Sequence, residues 1–249
     1  MPPLPPVTKA LMLICVAVFC LSELLGQFGV FAMTGAGPFP LLDAWFGLWP
    51  LRSGSFWPWQ VLTYAFLHGG VMHLFFNMLG LWMFGAELER LWGPKRYLHL
   101  LLASVLAAAV VQLVFTLLVG SRGPTVGASG GLYGLLLAYA LAFRNRQFDL
   151  LGLAPMLLML LPIPGADILG MMLFIVLLTN RQLVPVRPIL VRSMAMVAVF
   201  GGVELFNGVF FNRSSGVAHF AHLGGMLGAW LVIQYWRGRL PLGGGPRRR

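Results

Sequence analysis

LLGLAPMLLMLLPIPGADILGMMLFIVLLT, residues 150–179, is the stretch that decides the fold. Read as one helix, it crosses a membrane and inverts every element after it. Read as two arms about Pro162-Ile163-Pro164-Gly165, it turns back on itself. The arms are about 12 and 14 residues, or ~20 Å each as helix, against a hydrocarbon core of ~30 Å. The Pro-Ile-Pro-Gly break supplies the turn. Arg144 and Arg146 precede the stretch, and Arg181 and Arg187 follow it. Basic residues on both flanks place entry and exit on one side. A re-entrant or in-plane helical hairpin therefore fits better than a crossing.

The rest of the chain belongs to the same solvent. Of its 249 residues 59% are hydrophobic and 10% charged, with mean hydropathy +0.84, far from the balance of a soluble domain. Apolar runs long enough to span recur at 8–27, 60–89, 97–119, 129–143, 191–211 and 217–236. The chain reads as an all-α, polytopic membrane protein of six spans, with 147–182 as an extra apolar helical insert between spans 4 and 5. Residues 1–242 form one transmembrane domain, and 243–249 a basic tail expected to be disordered. Span 1 follows a short Pro-rich segment without an A-x-A-like cleavage site, so it is expected to be retained. Cys15 and Cys20 fall in one apolar run and face different directions, which points away from a disulfide framework or a metal site. The net charge of +10 lies in short loops without interleaved aromatics, so nucleic acid is not an expected partner.

Charge placement orients the spans. If they alternate, Lys9, Arg90, Lys95, Arg96, Arg144, Arg146, Arg181, Arg187, Arg192, Arg237, Arg239 and Arg247 to Arg249 share one side. Only Arg52, Arg122 and Arg213 lie opposite. The positive-inside rule then puts both termini in the cytoplasm. Spans 2, 4 and 6 descend from the outer face, which brings His73, Ser129 and His222 to one depth.

Ser129, in Gly127-Ala128-Ser129-Gly130, opens span 4. A serine at such a helix start also serves as an N-cap or a small packing residue. As a nucleophile it needs an activating base, and His222 in span 6 supplies one if the two spans pack closely. Gly225 and Ala229, three and seven residues on, lie on nearly the same face and let two backbones approach. No acid is placed to orient His222, Glu204 being the nearest in span terms, so the arrangement reads as a dyad. His73 and Asn77 are one turn apart on span 2. They serve as interhelical hydrogen-bonding groups or, with the Ser129 backbone N–H, as donors to an oxyanion. Tyr133 follows Ser129 by one turn on the same face. His219 is read as a bystander near the outer entry of span 6. Glu87, Glu89 and Arg90 are read as a structural ion-pair or capping cluster, and Gly80 and Gly85 as packing residues. Trp45, Trp49, Trp57 and Trp59 crowd the first outer loop as an aromatic belt.

Gly127-Ala128-Ser129-Gly130, His68-x4-His73-x3-Asn77 and Ala221-His222-Leu223-Gly224-Gly225, in that order on a six-span plan, resemble the rhomboid intramembrane serine proteases. The resemblance runs from about Trp59 to Ala229. Trp59-Gln60 stands where the family has a Trp-Arg pair, and the insert between spans 4 and 5 is a second departure. The resemblance implies that the Tyr133 ring stacks on His222, that His68 sits at the site rim or positions water, and that the first outer loop is half-embedded in the outer leaflet. It also implies an endopeptidase that cleaves transmembrane segments of other membrane proteins near the outer face, in the lipid bilayer, with no cofactor or metal. The Arg- and Gly-rich six-span plan favours a bacterial inner membrane. Two rivals are a catalytically inactive rhomboid-like factor that binds membrane clients, and a transporter or haem protein using His68, His73, His219 and His222. The first has no use for the Ser129–His222 pair. The second has no use for a glycine-framed serine or for Asn77.

Overall fold

In the structure, a computed structural model describing residues 3–120, 123–159, 163–180, 187–210 and 218–239, a proline opens the first helix. Pro6 begins α1 (Pro6–Gln27), where a missing N–H costs nothing and φ is already helical. Its first-turn donors are capped from a distance. Glu89 accepts from Val7 N at 3.0 Å and from Thr8 N and Thr8 Oγ1 at 2.7 Å, while Arg90 donates to the Pro3 carbonyl at 2.9 Å. The acidic cluster at the end of span 2 is thus a remote N-cap, with a carboxylate at the positive end of the helix dipole. The basic tail at 243–249 and Pro162, Arg122, Arg181 and Arg213 lie outside the described residues.

The chain forms two compact units, Met1–Ala138 with Ala221–Arg249, and Tyr139–Phe220. In the first, α1 leads into a hairpin of β1 (Phe31–Thr34) and β2 (Gly37–Pro40) and then α2 (Leu41–Phe46). Gln60 is the hub of the loop that follows. It is fully buried. Its Oε1 accepts from Trp49 N at 3.2 Å, and its Nε2 donates to Trp45 O and Ser55 O at 3.3 and 3.1 Å. Trp49 is buried rather than part of a belt, and its indole N–H bonds Ala44 O at 3.0 Å. Trp45, Trp57 and Trp59 are exposed and stacked, Trp57 on Trp59 at 5.0 Å.

Span 2 is not helical from residue 60. A short α3 (Gln60–Thr63) and a 3₁₀ turn at Tyr64–Phe66 come first, and Gly69-Gly70 interrupts before α4 (Val71–Gly80). Five residues of π-helix, Leu81–Gly85, join α4 to α5 (Ala86–Val119). Gly93, at φ 77°, bends α5 ahead of Pro94 and so separates spans 2 and 3. Tyr97, just past the bend, packs its hydroxyl where a Cβ on Gly85 would lie, 2.6 Å away. Leu48, Tyr64, Ala65, Val105, Ala109 and Leu113 form a buried cluster, and Tyr64 OH donates to Val105 O at 2.9 Å. Helix α6 (Ser129–Ala142) follows an extended segment held on both sides. Leu48 and Thr125 exchange backbone bonds at 2.9 Å, and Gly127 N donates to Tyr64 O at 2.9 Å. These bonds set the height at which Ser129 enters its helix.

In the second unit the insert is stitched shut at its base. Strand β3 (Gln147–Asp149) pairs antiparallel with β4 (Leu190–Arg192), Gln147 opposite Arg192 and Asp149 opposite Leu190. Asp149 Oδ1 accepts from Leu151 N at 3.0 Å and Ile189 N at 3.1 Å, and Leu150 N donates to Ile189 O at 2.8 Å. Between the strands lie α7 (Leu150–Met159) and α8 (Ala166–Thr179). A Cβ on Gly170 would sit 2.7 Å from Pro155 O, so the arms pack closely. At 1.5 Å per residue they reach about 15 and 21 Å, short of a ~30 Å core. The insert leaves and returns at one place. Helix α9 (Ser193–Phe210) follows β4, and α10 (His219–Trp236) ends the described helices. The stretches 6–27, 71–119 and 193–210 are long and apolar enough to cross a membrane by length and composition. The protein is an all-α polytopic membrane protein.

Candidate active site

Gly127 shapes the entry to α6. Its φ of 126° disfavours any other residue. A Cβ there would also lie 2.6 Å from His73 Nε2 and 3.6 Å from Ser129 Oγ. Glycine is thus required twice, once for the backbone and once to admit the His73 ring beside the serine. Ser129, the first residue of α6, points its hydroxyl at α10, and Ser129 Oγ lies 2.7 Å from His222 Nε2. That is a short hydrogen bond.

Small residues allow it. A Cβ on Gly225 would run into the Gly130 carbonyl, and one on Gly130 would lie 2.6 Å from Ala108 Cβ. A Cβ on Gly134 would strike Ser104 and come within 2.8 Å of Gly225 O. Ala229 is fully buried. Helices α6 and α10 therefore meet backbone to backbone one turn below the Ser129–His222 bond. The His222 ring is braced on its face by Tyr133, with centroids 4.3 Å apart and planes 7° from parallel. Tyr133 reaches it because it follows Ser129 by four residues.

The two span 2 residues differ in how they are held. His73 Nδ1 accepts a long bond from Gly69 N at 3.4 Å. With Nδ1 as acceptor, a neutral ring carries its proton on Nε2, the nitrogen facing Gly127. Asn77 is buried and donates one amide N–H to the His73 carbonyl at 3.0 Å, which occupies one of its two donors.

His68 is not on the helix at all. The Gly69-Gly70 break folds it back, so its ring meets His73 edge-on at 5.1 Å instead of facing about 140° away, as a continuous helix would place it. Its Nδ1 lies 3.3 Å from Phe66 O, and the residue is buried.

One buried pair escaped the sequence reading. His219 is no bystander: within the second unit its Nδ1 lies 2.6 Å from Glu204 Oε2, and both side chains are fully buried. The available signal was the acid itself, since a carboxylate within an apolar span is costly and rarely idle. The pairing could not be read, because fifteen residues separate the partners.

Comparison with known proteins adds to this geometry. The chain is 39% identical over 93 residues to "Rhomboid protease GluP" of Bacillus subtilis (strain 168), covering 37% of this chain and 17% of that protein. It is 32% identical over 135 residues to "Rhomboid protease GlpG" of Klebsiella pneumoniae, covering 54% and 42%. It is 33% identical over 108 residues to "Rhomboid protein 1, mitochondrial" of Saccharomyces cerevisiae, covering 43% and 29%. The chain thus spans less than half the length of these curated relatives. The Rhomboid domain, as a family, matches residues 53–238, which is most of the chain and includes every residue of the site. With that match over most of its length, the chain belongs to the rhomboid family.

Proposed function

We propose that this protein is an intramembrane serine endopeptidase that cleaves transmembrane segments of other membrane proteins near the outer face. The observation that carries the proposal is the 2.7 Å bond between Ser129 Oγ and His222 Nε2, with Tyr133 stacked on the same imidazole. The relatives named as rhomboid proteases support it.

A substrate segment unwinds locally, because a fully bonded helix hides its carbonyls. His222 Nε2 takes the Ser129 proton as Oγ attacks the exposed carbonyl carbon. The oxyanion is met by the Ser129 backbone N–H, by His73 Nε2–H and by the second Asn77 N–H. When the intermediate collapses, His222 returns the proton to the leaving amine and an acyl-enzyme remains. Water then attacks it, with His222 again as base, and Ser129 is regenerated. The step order needs no cofactor. The scheme uses a dyad, with Tyr133 bracing the imidazole on its face.

The membrane setting proposed for this chemistry is a bacterial inner membrane, with both termini in the cytoplasm. Covalent labelling tests the reading directly. A fluorophosphonate should modify the wild type at Ser129, mapped by peptide mass, and should leave Ser129→Ala and His222→Ala unmodified. A folded wild type that resists the probe supports the inactive, client-binding alternative instead.

A further inference from the structure

We propose that the end of the first unit carrying the start of α1 and the end of α10 binds the phosphate headgroups of anionic phospholipids. The proposal goes beyond the protease reading and does not depend on it. Three segments meet at this end. Glu89 and Arg90 tie α5 to the first residues of the chain, through Val7, Thr8 and Pro3. Just past them, Trp92 meets Trp236 of α10 edge-on, with ring centroids 5.4 Å apart. The Arg96 guanidinium lies over the same Trp236 ring, 5.8 Å from its centroid. Lys9, Arg90, Lys95, Arg96, Arg237 and Arg239 are all exposed on these segments. Among the described basic residues of the first unit, only Arg52 lies elsewhere.

The acids of these segments leave the cluster positive. Glu89 is buried against the N–H groups of α1, and Glu87, half-buried, is the other carboxylate. Nor do the arginines at the end of α10 serve as its cap. Arg237 N donates to Ile233 O at 3.1 Å, and Gly238 N and Arg239 N donate to Tyr235 O and Gln234 O at 3.0 Å. Gly238 turns the chain with φ 65°, so the backbone itself completes the cap. Tryptophan settles at the membrane–water interface, and here two of them, half-buried, sit among the cations. That sets the cluster at headgroup depth, where the abundant anion is lipid phosphate. Basic residues beside a span draw anionic lipid, and the arginine fork matches phosphate oxygens. Arg96, Trp236 and Arg237 form its centre, where the ring contacts join α5 to α10.

Native mass spectrometry of the purified full chain tests this, read as the ratio of phosphatidylglycerol to phosphatidylcholine, of matched acyl chains, that it retains. The wild type should favour phosphatidylglycerol by about tenfold at low salt, the scale of a few basic residues at a membrane surface, and by less at high salt. Arg96→Gln/Arg237→Gln should bring the two lipids near parity, and Arg52→Gln should keep the wild-type ratio. A wild type without preference would overturn the proposal, as would a folded Arg96→Gln/Arg237→Gln that retains it. If that variant does not fold, Lys95→Gln/Arg239→Gln decides, since it leaves the Arg96–Trp236 contact in place. Its ratio should fall about threefold, and an unchanged ratio would overturn the proposal. Inorganic phosphate at millimolar concentration should not displace the lipid; displacement would show a site for free phosphate instead. The ratio is read without substrate, so its failure leaves the protease reading standing.

Discussion

The Tyr133 ring lies flat on the His222 imidazole, 4.3 Å between centroids and 7° from parallel. Stacking constrains the one torsion that hydrogen bonding to Ser129 leaves soft, so its loss should appear in turnover rather than in substrate affinity. A stacked aromatic pair is worth about 0.5–1.5 kcal/mol beyond its buried area. Tyr133→Ala should therefore lower kcat by about two- to tenfold with KM little changed, and Tyr133→Phe should restore most of it. Steady-state cleavage kinetics check this; a Tyr133→Phe as slow as Tyr133→Ala would assign the role to the hydroxyl.

Gly225 has no room for a methyl group, because the Gly130 carbonyl of α6 occupies the place. Gly225→Ala should push α6 and α10 apart and lengthen the Ser129–His222 bond. Fluorophosphonate labelling is expected to fall at least about a hundredfold, the scale on which small misplacement of catalytic groups acts. Circular dichroism should show the helices retained. Unchanged labelling would mean that the two helices adjust without moving the dyad.

What the sequence disclosed and what it hid follow from range. Ser129, His222 and the small residues beside them stood out because their types are unusual at the ends of apolar spans, and charge placement gave them a common depth. The fold-back of His68 departs from a continuous 60–89 helix at Gly69-Gly70, two adjacent glycines that are themselves a break signal. Gln60 and the Glu204–His219 pair were opaque for another reason. Each is defined by partners distant in sequence, Trp45 and Trp49 for the glutamine and a residue on the next helix for the glutamate. Local pattern carries no record of such pairings.

The sheet at the base of the α7–α8 insert makes a topological prediction. Because β3 pairs with β4, residues 147 and 190 must lie on the same side of the membrane. The turn at Ile163 should lie buried in one leaflet, since arms of about 15 and 21 Å do not reach across. In a background without Cys15 and Cys20, Gln147→Cys and Arg187→Cys should react with an impermeant maleimide from one face only. Ile163→Cys should react from neither. Labelling of Ile163→Cys from the opposite face would show a crossing and would place His222 and Ser129 on different sides.

Asp43 gives the loop after α1 a dependence on pH. Burial pushes its carboxyl up to about 6, and the negative charge of Glu23 adds to the rise. The folded loop thus holds the proton more tightly than the unfolded chain does. The stability this lends is fully present below the ordinary carboxylate value of about 4 and is lost as pH rises through about 6. Thermal midpoints measured from about pH 4 to 7 should decline with pH in the wild type and decline less in Asp43→Asn. Parallel curves would show that the carboxyl does not titrate in the folded loop.

The most direct measurement is cleavage of a purified single-span substrate in liposomes by wild type and by Ser129→Ala. The wild type is expected to cut the segment within its outer part, and the serine variant, equally folded, to leave it intact. Cleavage that survives Ser129→Ala would contradict the assignment of Ser129 as nucleophile.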